Sequence, residues 1–176
     1  MSCMKLAQIF GDAQFVLVVV GSERHEAAVE GIACEMSEKR TCYVTLSKTR
    51  KALLDELSEK GAKVGNITFI DAISKTIMKS PEQGADALYA ASPGALTEIS
   101  MMVSKCMGKE FDYLLFDSVS RVFIYQKGAP VARFLSNIIS QARQRGTRAA
   151  FVCIDLPEHA EFIKECAMLV EKTAKV

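Results

Sequence analysis

Residues 15–20 read FVLVVV, an apolar run with no polar position anywhere in it. A strand wetted on one face alternates apolar and polar side chains; one without alternation is covered on both faces. Similar runs recur at CYVTL (42–46), ITFI (67–70), YLLF (113–116) and AAFVCI (149–154). LYAA (88–91) reads as a short edge strand, and VFIY (122–125) is strand-like by composition. Between these runs lie helical patterns. Residues 23–39 place Ala27, Ala28, Ile32, Cys34 and Met36 at apolar positions, and 51–60 carry Leu53, Leu54 and Leu57, with Gly61 as the stop. Ser92 and Pro93 suit the cap and first position of a helix reaching about Met107 and ended by Gly108. Pro130 opens another, with Val131, Phe134, Leu135, Ile138 and Ile139 on one face and Gly146 as its close; Pro157 starts the last, ending near Leu169. Residues 74–87, with mixed charge, a proline and a glycine, read as an exposed loop. Strands alternating with helices imply βαβ units. The expected fold is therefore α/β and three-layered, a mainly parallel sheet with helices on both faces, forming one domain over residues 1–176. A chain of this length buries enough surface to fold without a metal or disulfide staple.

Several function classes are disfavoured at once. The formal net charge is +1, so no global field draws the chain to nucleic acid or an anionic membrane, although a local patch is compatible with that total. No apolar run approaches the roughly 20 residues of a membrane helix. The opening MSCMKLAQIF lacks the long apolar core of a signal peptide, so a cytoplasmic location is expected. The six cysteines, at 3, 34, 42, 106, 153 and 166, include no C-x-x-C pair, and only His25 and His159 could join them on a metal. Reduced and mostly buried thiols are expected. Cys42 and Cys153 read as small core hydrophobes, and Met101 and Met102 as fillers of core and interface gaps.

In parallel α/β sheets, ligands bind at the carboxyl ends of the strands. The first strand runs into Gly21-Ser22-Glu23-Arg24-His25-Glu26-Ala27-Ala28. A phosphate-cradling loop, G-x-x-x-x-G-K-[ST], would occupy this slot. Gly21 stands at its first glycine, but Glu26, Ala27 and Ala28 replace the second glycine, the lysine and the hydroxyl residue. The loop thereby loses backbone freedom, the cation for the outer phosphates and a magnesium ligand, while Glu23 and Glu26 repel an anion. The alternative is an ordinary strand–turn–helix connection with Ser22 as its cap. Further on, Tyr113-Leu114-Leu115-Phe116-Asp117-Ser118 has the form of a Walker B segment, whose aspartate orients magnesium in a working site. Asp71 and Asp155 also end strands; three carboxylates at one edge either hold a cation or, more commonly, act as separate caps.

FVLVVVGSERHEAA, YVTLSKTRKALLDEL and YLLFDSVSRVFIY together resemble the RecA-like ATPase core of the KaiC and archaeal RadA-related group. The likeness follows nearly the whole chain in order, and Asp117-Ser118-Val119-Ser120 is its most specific segment. It implies a RecA-like P-loop NTPase fold. In that family the second strand commonly ends in a V-T-F-E-E-like run whose glutamate activates water; here the run is Val44-Thr45-Leu46-Ser47-Lys48, with neither acid. The resemblance thus implies the fold, and the departures argue against its ATPase activity. Such cores act as clock, recombination or motility regulators.

The leading expectation is a non-catalytic RecA-like module that binds a protein partner or another copy of itself, with no cofactor. A second is a nucleotide-binding regulator without hydrolysis, using Gly21, Asp117 and Ser118. A third is a divergent metal-dependent enzyme at the carboxyl edge. A nucleic-acid role for Arg143, Arg145 and Arg148 is the weakest, because cations at a helix carboxyl end are favourable without any ligand. His25 has no nucleophilic partner at readable spacing and is expected at the surface.

Overall fold

The computed structural model describes residues 5–108 and 110–176. The elements are α1 (Leu6–Phe10), β1 (Phe15–Val20), α2 (His25–Met36), β2 (Thr41–Thr45), α3 (Arg50–Glu59), β3 (Ile67–Asp71), α4 (Ser74–Ile77), β4 (Ala87–Tyr89), α5 (Leu96–Met107), β5 (Tyr113–Asp117), α6 (Val119–Tyr125), α7 (Ala129–Arg145), β6 (Arg148–Ile154), α8 (Ala160–Ala167) and β7 (Lys172–Lys175). Single 3₁₀ turns, Ser22–Arg24, Val64–Asn66 and Pro157–His159, lead into α2, β3 and α8.

The strands form one sheet in the order β4-β3-β2-β5-β6-β1-β7, and every pairing is parallel. All carboxyl ends therefore lie along one edge. The FVLVVV run behaves as its composition demands. Phe15, Leu17 and Val19 enter a core covered by α5, α7 and α8, while Val16, Val18 and Val20 enter the opposite core under α1, α2 and α3. Each such side chain contributes on the order of 1.5–3 kcal/mol by leaving water, which is why the period-2 pattern disappears from the central strands. This is the three-layer α/β arrangement the alternation predicts.

The elements that differ from the sequence reading have identifiable causes. Residues 122–125 are helical rather than extended: α6 buries Val119 and Val122 at i, i+3, while Ile124 and Tyr125 face outward. β-Branched and aromatic residues favour strands only when a sheet position is there to receive them, so tertiary context overrides the propensity. The helix after Ser92-Pro93 starts later, at Leu96, because Ser92–Ala95 closes a turn through Ala95 N–H to Ser92 O. Pro157 opens a 3₁₀ turn, not the α-helix itself. Ser74–Ile77 inside the expected loop is a one-turn helix held by Asp71. α1 and β7 have no counterpart in the sequence reading. β7 reads KTAK, too polar to register as a strand, yet it pairs along β1 from Val16↔Lys172 onward and caps the sheet's edge with its lysines.

Among the described cysteines, Cys42, Cys106, Cys153 and Cys166 are buried and Cys34 is half-buried; Cys3 lies outside the described residues. Met101 is exposed and so fills no core gap, whereas Met102 packs on the core. No helix among the described residues is long and apolar enough to cross a membrane.

Burial pushes the Cys153 thiol up to about 11 and the Cys166 thiol up to about 12. In the unfolded chain both ionise near their ordinary value of about 8.5. Above that pH the unfolded state sheds protons that the folded state keeps, so this contribution is intact below about 8.5 and is lost as pH climbs toward 11–12. In urea unfolding, Cys166→Ala should lose less stability between about pH 8 and 10.5 than the parent does. Equal losses would show that this thiol is not a source of the alkaline sensitivity.

Candidate functional site

At the carboxyl edge the register sets three residues level: Thr45 pairs with Asp71 on one side and Asp117 on the other. Asp117, the residue in the Walker B position, is 3% exposed. Both of its oxygens are engaged. Oδ1 accepts from His25 Nε2 at 2.7 Å, and Oδ2 accepts from Ser47 Oγ at 2.6 Å. His25 is delivered by the first turn of α2 and Ser47 by the loop that leaves β2, so one carboxylate joins the ends of β1, β2 and β5. Leu46 N–H also donates to the Asp117 backbone carbonyl, at 2.7 Å. An isolated carboxylate at this depth would cost several kcal/mol; two short bonds are what make the position tenable. The expectation of a surface histidine is thus overturned: the His25 side chain is 14% exposed and aimed inward at Asp117.

The turn after β1 bears no likeness to an anion cradle. Gly21 has φ −61°, and residues 22–24 wind into a 3₁₀ turn closed by Arg24 N–H to Gly21 O at 3.0 Å. The Glu23 carboxylate folds over Gly21, where a Cβ would fall 2.7 Å from its Oε1. Ser22, expected as the helix cap, is exposed and caps nothing; α2 starts at His25 instead. Ala27 is exposed and Ala28 half-buried.

Beside it, Thr45 Oγ1 accepts from Lys48 N–H at 3.2 Å and donates to Lys48 O at 2.7 Å, fixing the loop. Lys48 Nζ reaches Glu56 at 2.8 Å and Glu26 at 3.3 Å. Burial draws this ammonium down, but its bonds to the two glutamates outweigh that and leave it raised. The two positions that would be acidic in the resembling family therefore hold a hydroxyl and a cation, each spent on a neighbouring carboxylate.

These side chains, with Tyr43 and Arg121, line a cavity of about 130 Å³. Tyr43 is fully buried and stacks on Phe69, with ring centroids 5.6 Å apart. Burial first, and then the nearby Asp117 charge, push its phenol well above the ordinary value, so it stays protonated. Its hydroxyl makes no hydrogen bond among the described residues, and neither does that of Ser118, which is also buried. Of the three residues singled out for a nucleotide, Gly21 is roofed by Glu23, Asp117 is taken up by protein donors and Ser118 is sealed inside.

The other candidates are placed as follows. Asp71 accepts from Ile73 N–H, Ser74 N–H, Arg50 N–H and Ser74 Oγ, at 2.6–2.8 Å, which makes it a cap for the chain leaving β3. Asp155 is exposed, and among the described residues no three His, Cys, Asp or Glu side chains come together as a metal cage. Arg148 donates to the Gly11 and Ala13 carbonyls at 2.8 Å and covers Phe10. Arg143 pairs with Glu171 over the Phe15 ring, and Arg145 is exposed. Two of these three arginines are occupied within the protein. Sequence reasoning located Asp117 but missed His25, Ser47 and Tyr43 as its surroundings. No spacing in the sequence signals the contact, since His25 and Asp117 lie 92 residues apart.

This sheet order, with an aspartate ending a central strand against the β1–α2 turn, is that of a RecA-like three-layer α/β fold. Among solved structures it is similar to a KaiC-like protein of the hyperthermophilic archaeon Pyrococcus horikoshii, at a TM-score of 0.53 and 16% identity over 86% of this chain and 70% of that one. No family model and no curated protein matches the chain.

Removing His25 leaves half of a buried carboxylate without its donor. His25→Ala should lower the unfolding free energy by about 1–3 kcal/mol. Asp117→Asn in that background should recover part of it, giving a coupling of about 0.5–3 kcal/mol in a double-mutant cycle read by urea denaturation. Strictly additive losses would contradict the pairing.

Proposed function

We propose that this RecA-like protein hydrolyses no nucleoside triphosphate and acts as a regulatory module that binds another protein or another copy of itself. The observation carrying the proposal is the state of Asp117. A Walker B carboxylate serves catalysis by orienting magnesium from an accessible position beside the phosphates. Here both oxygens are committed to His25 and Ser47, and the neighbouring slots hold Ala27 instead of a lysine and Lys48 instead of a water-activating glutamate. The cavity at this edge, about 130 Å³, is well below the roughly 300–1,000 Å³ of ordinary ligand pockets. An anion approaching Gly21 meets the Glu23 carboxylate first.

Titration with ATP and magnesium, followed by calorimetry, is expected to show no saturable binding below about 1 mM, weaker than about −4 kcal/mol. A micromolar dissociation constant would overturn the proposal in favour of a nucleotide-binding regulator that lacks hydrolysis. His25→Ala repeats of the titration should be equally silent, since freeing Asp117 restores neither the lysine nor the loop.

A further inference from the structure

We infer that the cavity between α2, α3 and the ends of β2 and β5 binds the ammonium group of a short aliphatic amine. This goes beyond the protein-binding reading and does not depend on it. The starting point is the Tyr43 hydroxyl. Tyr43 is fully buried, lines this cavity, and leaves its hydroxyl without a hydrogen-bond partner among the described residues. Asp117 is its neighbour, but that carboxylate is taken up by His25 and Ser47. A buried hydroxyl left unpaired costs stability, and an incoming N–H is a partner its oxygen can accept. Size limits the occupant. At about 130 Å³ the cavity is close to the roughly 150 Å³ at which an internal cavity takes a benzene-sized molecule, so about six heavy atoms fit. Val29, Leu53 and Leu57 supply an apolar wall for a short hydrocarbon chain.

Charge decides the head group. Four carboxylates line the cavity, Glu26, Glu30, Glu56 and Asp117, against two cations, Lys48 and Arg121. The field at the phenol has that sign: after burial, the charges that hold its proton on are those of Asp117, Glu56 and Glu30. Lys48 shows that these acids accept an ammonium group, since its own is bonded to Glu56 at 2.8 Å and Glu26 at 3.3 Å. Glu30 is placed differently. Its side chain is 13% exposed, and its partner Lys60 reaches it from an exposed position that does not line the cavity. An ammonium group entering here meets Glu30 and the Tyr43 oxygen, the first supplying charge and the second a lone pair. A carboxylate or phosphate meets the same acids as repulsion. A metal ion is not better served, because among the described residues no three His, Cys, Asp or Glu side chains come together as a cage.

The test titrates n-butylammonium chloride into the full isotope-labelled chain and follows amide shifts by NMR, with sodium butyrate and 1-butanol as size-matched controls. The amine should give a saturable response centred on β2 and α2, with a Kd of about 1 mM or tighter, and neither control should respond below about 10 mM. Tyr43→Phe and Glu30→Gln should each weaken amine binding about tenfold or more. With no amine present, the urea midpoint of Tyr43→Phe should be unchanged or raised, since the substitution deletes a hydroxyl that bonds to nothing. A lowered midpoint would reveal an internal partner and overturn the inference. So would silence toward the amine, a butyrate or butanol response equal to the amine's, or undiminished affinity in either variant. Acetyl-Gly-Lys-Gly-amide separates two sources of the same chemistry. Tighter binding than butylammonium assigns the site to a partner protein's lysine side chain, weaker binding to a free amine, and both uphold the inference. No nucleotide enters this titration, so the amine site and the non-nucleotide reading fail separately.

Discussion

A buried carboxylate at the centre of the carboxyl edge is the constraint around which this end of the molecule is organised. Asp117 is held at 3% exposure, at the junction of three chain segments, and it must have partners there. In a phosphate-handling site, the metal and its phosphates share that task with the protein. Here the protein supplies both partners itself, from the β1–α2 turn and from the loop after β2. The same substitution of internal partners for external ones repeats one step outward. Lys48 answers Glu56 and Glu26, and Asp71 consumes its acceptor sites on the turn that follows β3. The carboxyl edge is thus tied together by a network of side chains.

That closure also bears on rigidity. Because His25 and Ser47 reach Asp117 from different elements, the β1 turn and the β2 loop cannot shift independently without exposing or orphaning a carboxylate. The Thr45–Lys48 turn adds a second fastening, and Arg50 a third through its fork to Asp86 at 2.8 Å. Charge-assisted pairs in partly buried sites are shorter and stronger than neutral ones, so these fasteners sit on the interactions least tolerant of loss. The Tyr43 and Ser118 hydroxyls, both buried, are left without a hydrogen-bond partner among the described residues.

The central strands were legible because burial on both faces leaves an unmistakable composition: FVLVVV, YLLF and AAFVCI could be little else. Edges and corners were not. β7 is recognised only by pairing with β1, since KTAK carries almost no apolar signal, and α6 hides behind a β-branched sequence whose helical face emerges only once the sheet forbids another strand there. The site divides the same way. Asp117 announces itself as an acid ending an apolar run, a local pattern. His25 does not, because its partner lies 92 residues further along and no spacing rule connects them. Only the fold-level correspondence between the β1 turn and the end of β5 could have joined the two.

The near-neutral total charge conceals an uneven distribution. Around α2 and α3 cations and anions alternate and pair, through Lys60 with Glu30, Lys63 with Glu38 and Lys51 with Asp55, so that face is balanced within itself. Across the sheet, α6 and α7 bear only positive charge alongside the most exposed apolar side chains of their neighbourhood. Surface ion pairs contribute little to stability, so the balanced face gains mainly solubility and the absence of a net field. The unbalanced face forgoes even that. Charge is thus balanced within one helical layer and left positive along α6 and α7 of the other.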